Sequence, residues 1–287
     1  MAQHPFRLLN VFTVDGDPFS GNPLCVFENG QPFSAAEMQS LARQFNLSET
    51  TFILPASESA ASRRVRIFTP SFEMPFAGHP TLGTAHVVRD LIGGSDSVVL
   101  EMKAGLVDVV ATANDWTLRA ASKPTTRTPD ASRAELARML DIDRDTLGET
   151  PLWVDTGAEQ LIIPVTSPEA VRRARPSAEE LDRHGFSKKR GASMAYVWAH
   201  AAPGEVVARF FFLANGGVVE DPATGSACAN LGGWMIATGQ SLPVRLSVRQ
   251  GEAIRRPSVL QLHVDEQERI FVGGSVREVG RGSLALG

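Results

Sequence analysis

The stretch FTPSFEMPFAGHPTLGTA, Phe68–Ala85, returns in altered form as FFLANGGVVEDPATGSACA, Phe211–Ala229. Each copy is an apolar run of β character, then a carboxylate, then a Pro/Gly-rich turn, then small residues at helical spacing. A Gly-rich turn that opens a helix presents free backbone N–H groups and the positive end of the helix dipole. Such a helix start binds anions. Two of them in one chain predict two helix N-termini that hold a small acidic molecule in a shared cleft.

The rest of the chain reads as short strands around these two helices. Leu8–Phe12, Leu24–Phe27, Thr51–Leu54 and Arg64–Phe68 read as strands, and Ser34 with Glu37 forms a capping-box pattern before Met38, Leu41, Ala42 and Phe45. Ser97–Met102 and Leu106–Ala111 flank Lys103-Ala104-Gly105 as a hairpin, and Trp116–Ala121 reads as a further strand. Thr125–Pro129, polar and bounded by Pro124 and Pro129, reads as a linker. Beyond it, helices are expected at Arg133–Leu140, Ala178–His184 and Ser226–Gly239, with strands across 152–165, 194–213 and 244–276. The helices Thr81–Leu91 and Ser226–Gly239 are apolar or small almost all round, which predicts burial. The expected fold is α+β: two pseudo-symmetric lobes, each a curled, mostly antiparallel, barrel-like sheet around a central helix. The lobes are placed at 1–122, with Glu49 and His79, and 123–287, with Asp221 and Ser226, the last strand being free to return to the first lobe. Periodicity alone leaves open that the repeat is chance and that the small residues only ease close packing.

Composition excludes several classes. With 28 Lys+Arg against 32 Asp+Glu in 287 residues the chain is mildly acidic, and no basic run is long enough to follow a nucleic acid. No apolar run reaches the roughly 20 residues of a membrane span, and the N-terminal stretch lacks a signal-peptide pattern, so the cytoplasm is expected. The two cysteines, Cys25 and Cys228, show no CxxC spacing and read as free core thiols rather than zinc ligands. His79 and His86 are seven apart, not the four that sets two ligands on one helix face, so no metal site is expected. No GxGxxG follows a strand, and the Gly-rich turns lack a phosphate-binding Lys.

Four polar positions stand out. Glu49 precedes a strand, flanked by Ser48, Thr50 and Thr51 whose hydroxyls can orient it, and partial burial there would suit a proton shuttle. Taken alone it also reads as a solvated loop residue. His79, in Gly78-His79-Pro80, lies at the first helix start, with Pro80 expected at the first helical position. Asp221 takes the matching place in the second turn, where it also reads as a turn or cap residue. Thr224 and Ser226, around Gly225, read as helix caps, ligand-binding groups, or both.

Taken in order, Phe19-Ser20-Gly21-Asn22-Pro23, Leu47-Ser48-Glu49-Thr50, Phe76 to Gly83, Glu220 to Ala227 and Gln250-Gly251 resemble the PhzF-like isomerases of phenazine biosynthesis, which share the diaminopimelate-epimerase fold. The resemblance runs over nearly the whole chain. It implies a cofactor-independent, cytoplasmic isomerase, commonly a homodimer, that acts on a small carboxylate. It implies Glu49 as the base, with His79 and Asp221 as its catalytic partners and Gly78, Thr224, Gly225 and Ser226 in substrate binding. Neither cysteine falls at the positions of the related epimerases' catalytic thiols, which disfavours a two-thiol reaction. The family often reads Gly-Arg-Pro-Ser where this chain has Arg255-Arg256-Pro257-Ser258. Two other readings stay open: an amino-acid racemase or epimerase that uses Glu49 and a second base, and a non-catalytic carboxylate-binding protein.

Overall fold

The computed structural model describes residues 2–286, which form two compact units: 2–119 with 273–286, and 120–272. In chain order the first unit holds β1 (Ala2–Val11), β2 (Asn22–Phe27), α1 (Ala35–Phe45), β3 (Glu49–Leu54), β4 (Arg63–Phe68), β5 (Glu73–Met74), α2 (Gly78–Ile92), β6 (Ser97–Met102), β7 (Gly105–Thr112) and β8 (Asp115–Arg119). The second holds β9 (Thr125–Arg127), α3 (Arg133–Leu140), β10 (Leu152–Asp155), β11 (Gln160–Pro164), α4 (Pro168–Arg173), α5 (Ala178–His184), β12 (Phe186–Ser187), β13 (Ala192–Ala202), β14 (Glu205–Ala214), β15 (Gly217–Asp221), α6 (Gly225–Ala237), β16 (Val244–Gln250) and β17 (Ser258–Val264). The long strand β18 (Ile270–Leu286) begins in the second unit and ends in the first.

The first unit is a closed barrel. Its strands pair in the ring β1–β2–β3–β4–β6–β7–β8–β18 and back to β1, with β2–β3 and β4–β6 parallel. Closure removes the unpaired edges an open sheet would expose. Helix α2 fills the barrel and packs on β1, β2, β3, β4, β6, β7 and β8. Small residues make that fit possible. A Cβ on Gly83 would come within 2.5 Å of the Leu24 side chain and 3.0 Å of Val11. The expected stripe Leu82, Ala85 and Val88 is buried, while Leu91 and Ile92, at the helix end, are exposed. Outside the barrel, α1 opens with the expected Ser34–Glu37 capping box. It covers a cluster of Phe27, Phe33, Phe52 and Phe68. Burying one such ring is worth about 1.5–3 kcal/mol.

The second unit repeats the pairing order. Antiparallel β10–β11, parallel β11–β13, antiparallel β13–β14, parallel β14–β16 and antiparallel β16–β17 follow the sequence of pairings seen from β1 to β7. Helix α6 takes the place of α2 and packs on β9, β10, β11 and β17. Ala227, Cys228, Ala229, Leu231, Gly232, Gly233 and Met235 are buried, as an all-round apolar helix requires. The expected linker at Thr125–Pro129 is instead largely strand β9, paired with β10. Arg127 holds it there, stacking 4.5 Å over the Trp153 ring and forking onto Glu159. Among the described residues no helix is long and apolar enough to cross a membrane.

Candidate active site

The first unit gathers Glu49 and His79. Glu49 is the first residue of β3 and lies opposite Leu24 of β2. The turn before β2 is built to a close tolerance. Ser20 Oγ accepts from the Val14 N–H at 2.8 Å and donates to the Asp17 carbonyl at 2.6 Å. Gly21 adopts φ 81°, and a Cβ there would lie 2.5 Å from the Val11 carbonyl oxygen, so the position requires glycine. This turn delivers the Pro23 carbonyl to the His79 ring, whose Nδ1–H donates to it. The other nitrogen, Nε2, then faces Glu49 Oε2 at 3.2 Å, with the two side chains only 7% and 14% exposed. The approach is close but off the axis of a good hydrogen bond. Two residues along, Thr51 and Thr84 share a 2.8 Å hydroxyl bond that ties β3 to α2. Thr51 therefore helps to position the helix behind Glu49.

Pro80 is the third residue of α2, not the first, because the helix begins at Gly78 with Ala77 as an N-cap that offers no side-chain bond. Burial pushes the His79 pKa from 6.5 down to about 3 and outweighs the Pro23 hydrogen bond, which acts upward. The ring is thus neutral in the folded protein at neutral pH. The unfolded chain binds this proton more tightly, so stability rises with pH between about 3 and 6.5 and is lost on acidification through that window. The slope from this one group reaches about 1.4 kcal/mol per pH unit. Urea melts from pH 4 to 6 should show the dependence, and His79→Gln should flatten it by about one proton; an unchanged slope would show that His79 stays protonated in the fold.

The second unit gathers Asp221, Thr224 and Gln250 at one end of α6. Asp221 ends β15, opposite Phe210. Its neighbour Glu220 is committed elsewhere, accepting from Arg209 Nε at 3.1 Å and Nη2 at 2.6 Å, while Arg209 Nη1 donates to the Ala174 carbonyl at 2.7 Å. That buried pair fixes the strand on which Asp221 stands. Thr224 is the N-cap residue of α6, yet its side chain makes no cap bond. Its hydroxyl donates instead to Asp221 Oδ2 and accepts from Gln250 Nε2 at 3.0 Å. Gln250 Nε2 also donates to the Asp221 carbonyl at 2.9 Å. Gly225 opens the helix and is buried. Ser226 does not cap the helix either; its Oγ accepts from Gln160 Nε2 at 2.9 Å.

Gly251 explains the Gln250-Gly251 pair. It has φ 80°, and a Cβ would lie 2.3 Å from the Arg256 carbonyl oxygen and 2.6 Å from that of Pro222. The turn beyond it ends at Arg255, exposed and left-handed at φ 58°. This is the position at which the resembling family often has glycine. A non-glycine residue there carries strain of roughly 1–2 kcal/mol, partly offset by the greater freedom glycine has when unfolded. Arg255→Gly is expected to stabilise the protein by about 0.5–1 kcal/mol, read as a rise in Tm; an unchanged or lower Tm would show that the turn is not strained.

Burial raises both thiols, Cys25 and Cys228, well above their ordinary range, so neither is a thiolate at neutral pH. Among the described residues His86, Asp90 and Glu278 form a possible metal-ligand group. Arg7 already occupies it, with Nη1 at 2.7 Å from Asp90 and 3.1 Å from Glu278. A cavity of about 610 Å³ in the first unit lies by Ile53, Leu54 and Arg63, at the opposite end of β3 from Glu49. The Pro23 carbonyl, Gln160 and Asn230 carried no sequence signal for a role at the site; Gln250 showed only as part of a motif.

This fold, a closed barrel around α2 and a second sheet that repeats its pairing order around α6, is that of the PhzF-like proteins. A Bacillus anthracis phenazine biosynthesis protein of the PhzF family superposes with a TM-score of 0.85 at 24% identity, with 100% of both chains covered. A family profile described as phenazine biosynthesis-like protein matches residues 9–280. An uncharacterised isomerase of Pasteurella multocida is 37% identical over 284 residues, covering 99% of this chain and 95% of that one. The trans-2,3-dihydro-3-hydroxyanthranilate isomerase of Pseudomonas chlororaphis is 31% identical, covering 99% of this chain and 100% of its own. The chain belongs to the phenazine biosynthesis-like family, and it is an isomerase of that family.

Proposed function

We propose that the enzyme shifts a double bond within a small carboxylate-bearing metabolite, with Glu49 as both base and acid. The observation that carries this reading is the sealed contact between Glu49 Oε2 and His79 Nε2 at 3.2 Å. His79 Nδ1–H is committed to the Pro23 carbonyl, so in the neutral ring Nε2 is an acceptor. The pair is thus suited to hold one proton between its members. Glu49 removes a proton from a carbon activated by conjugation. The electrons of that C–H bond form a new double bond, the old double bond takes the proton back at another carbon, and the molecular formula is unchanged. A sealed carboxyl can do both steps without losing the proton to bulk water.

His79 and Asp221 assist as polar partners, and Gly78, Thr224, Gly225 and Ser226 bind the substrate. Backbone N–H groups at the start of α6 suit its carboxylate. The reading extends to a homodimer working in the cytoplasm. The test is incubation in heavy water with trans-2,3-dihydro-3-hydroxyanthranilate, the compound named for the Pseudomonas chlororaphis relative. Product with a moved double bond and carbon-bound deuterium is expected, and both should vanish in Glu49→Gln. Recovery of the compound unchanged and undeuterated from the wild type would refute this substrate, and product formation by Glu49→Gln would refute the base.

A further inference from the structure

Asn230 is a polar residue in the middle of an otherwise apolar, buried helix. Such a group is destabilising unless its hydrogen bonds are made. Here all are made. Its Oδ1 accepts from the Thr156 backbone N–H at 2.9 Å and the Thr156 hydroxyl at 2.7 Å. Its Nδ2 donates to the Ala158 carbonyl at 2.7 Å and to Gln160 Oε1 at 2.7 Å.

Two of these partners are main-chain groups, and they decide the direction of the whole chain of bonds. A backbone N–H can only donate and a backbone carbonyl can only accept, so the Asn230 amide has one allowed orientation. Its remaining N–H must meet an acceptor, which sets Gln160 with Oε1 toward Asn230 and Nε2 toward Ser226. Gln160 is itself buried, so it has no water to turn to. Its Nε2 therefore donates to Ser226 Oγ at 2.9 Å. The Ser226 hydroxyl, filled as an acceptor on that side, is left to give its own proton elsewhere. Thr224 shows the contrasting case two residues away: Gln250 donates to its oxygen in the same way, but its proton goes to Asp221 within the protein.

We propose that Asn230 and Gln160 are positioning residues that set the polarity of Ser226, so that its hydroxyl donates to the ligand and selects an acceptor there, a carboxylate rather than an amine or amide N–H. That Ser226 touches substrate rests on the function proposed above. The polarity itself is read from the protein's own bonds, and the two can fail separately.

Neutron diffraction from deuterated protein decides the polarity without any ligand. A Gln160 deuteron on the line to Ser226 Oγ, with the Ser226 deuteron pointing off that line, is expected; a Ser226 deuteron aimed at Gln160 overturns the proposal. The consequence for binding is read with 3-hydroxyanthranilate and its analogue bearing an aminomethyl group in place of the carboxylate, which offers only N–H there, as calorimetric probes. Gln160→Glu keeps the size of the side chain but replaces the donor by an acceptor, which should turn the Ser226 proton inward. The wild type should favour the carboxylate, and Gln160→Glu should cut that preference on the order of tenfold. The cut should shrink in a Ser226→Ala background. A cut of the same size without the hydroxyl would show that the new charge acts directly and would overturn the role of Ser226. Absence of binding of both probes to the wild type would refute the substrate reading, with the neutron map still deciding the polarity.

Discussion

Glu49→Gln is expected to lower turnover by on the order of a hundredfold or more with little change in stability. Glutamine matches the carboxyl in size and can still face His79 Nε2, but it cannot take a proton from carbon. The position is the first residue of β3, paired with Leu24 and away from the cluster of Phe27, Phe52 and Phe68 that stabilises this side of the unit. A fall in kcat with an unchanged Tm would therefore report chemistry and not folding. Near-wild-type turnover on trans-2,3-dihydro-3-hydroxyanthranilate would remove Glu49 from the mechanism. His79 would then have to be reconsidered with it, since the two share one sealed contact.

Gly251→Ala is expected to destabilise the protein by about 2–4 kcal/mol and to lower Tm on the order of 10 °C. Two causes add. The left-handed backbone at φ 80° disfavours any Cβ, and the new methyl would meet the Arg256 and Pro222 carbonyl oxygens at 2.3 and 2.6 Å. Main-chain oxygens cannot swing aside as a side-chain tip can, so the turn itself must open. Pro222 follows Asp221, and Gln250, next to Gly251, bonds both the Asp221 carbonyl and Thr224. The variant should therefore lose kcat even at temperatures where it is fully folded. Full activity in the folded variant would show that Asp221 does not depend on this turn.

How much of this was legible in the sequence depended on the range of the interaction. Local signals gave local structure: the Ser34–Glu37 capping box, and the helices Arg133–Leu140 and Ala178–His184, which match the structure residue for residue. The small-residue runs marked both buried helices, because only glycine and alanine let strands come as close as Leu24 does to Gly83. The sequence left the last strand free to return to the first lobe, but no local signal specified that β18 would close that barrel against β1, with Ala2 opposite Leu286. Thr125–Pro129 misled because its composition suits a linker, whereas its place as β9 is decided by Trp153 and Glu159, distant in sequence. At the site, the titratable residues stood out by type and motif. Their supports did not. The partner of His79 is a main-chain carbonyl, which any residue could supply, and Gln160 and Asn230 act through amide geometry that no spacing encodes.

The path of β18 also orders the protein's synthesis. The chain leaves the first unit after Arg119 and returns to it only at Gly273, so the ribosome delivers the whole second unit before the strand that seals the first. Until then β1 has β2 alone beside it, and the buried guanidinium of Arg7 lacks Glu278. A nascent chain must therefore carry an open sheet edge through the translation of about 150 residues, and such edges invite wrong partners. The unit begun first is completed last, and its edge at β1 has no covering strand until the chain beyond residue 273 has been made.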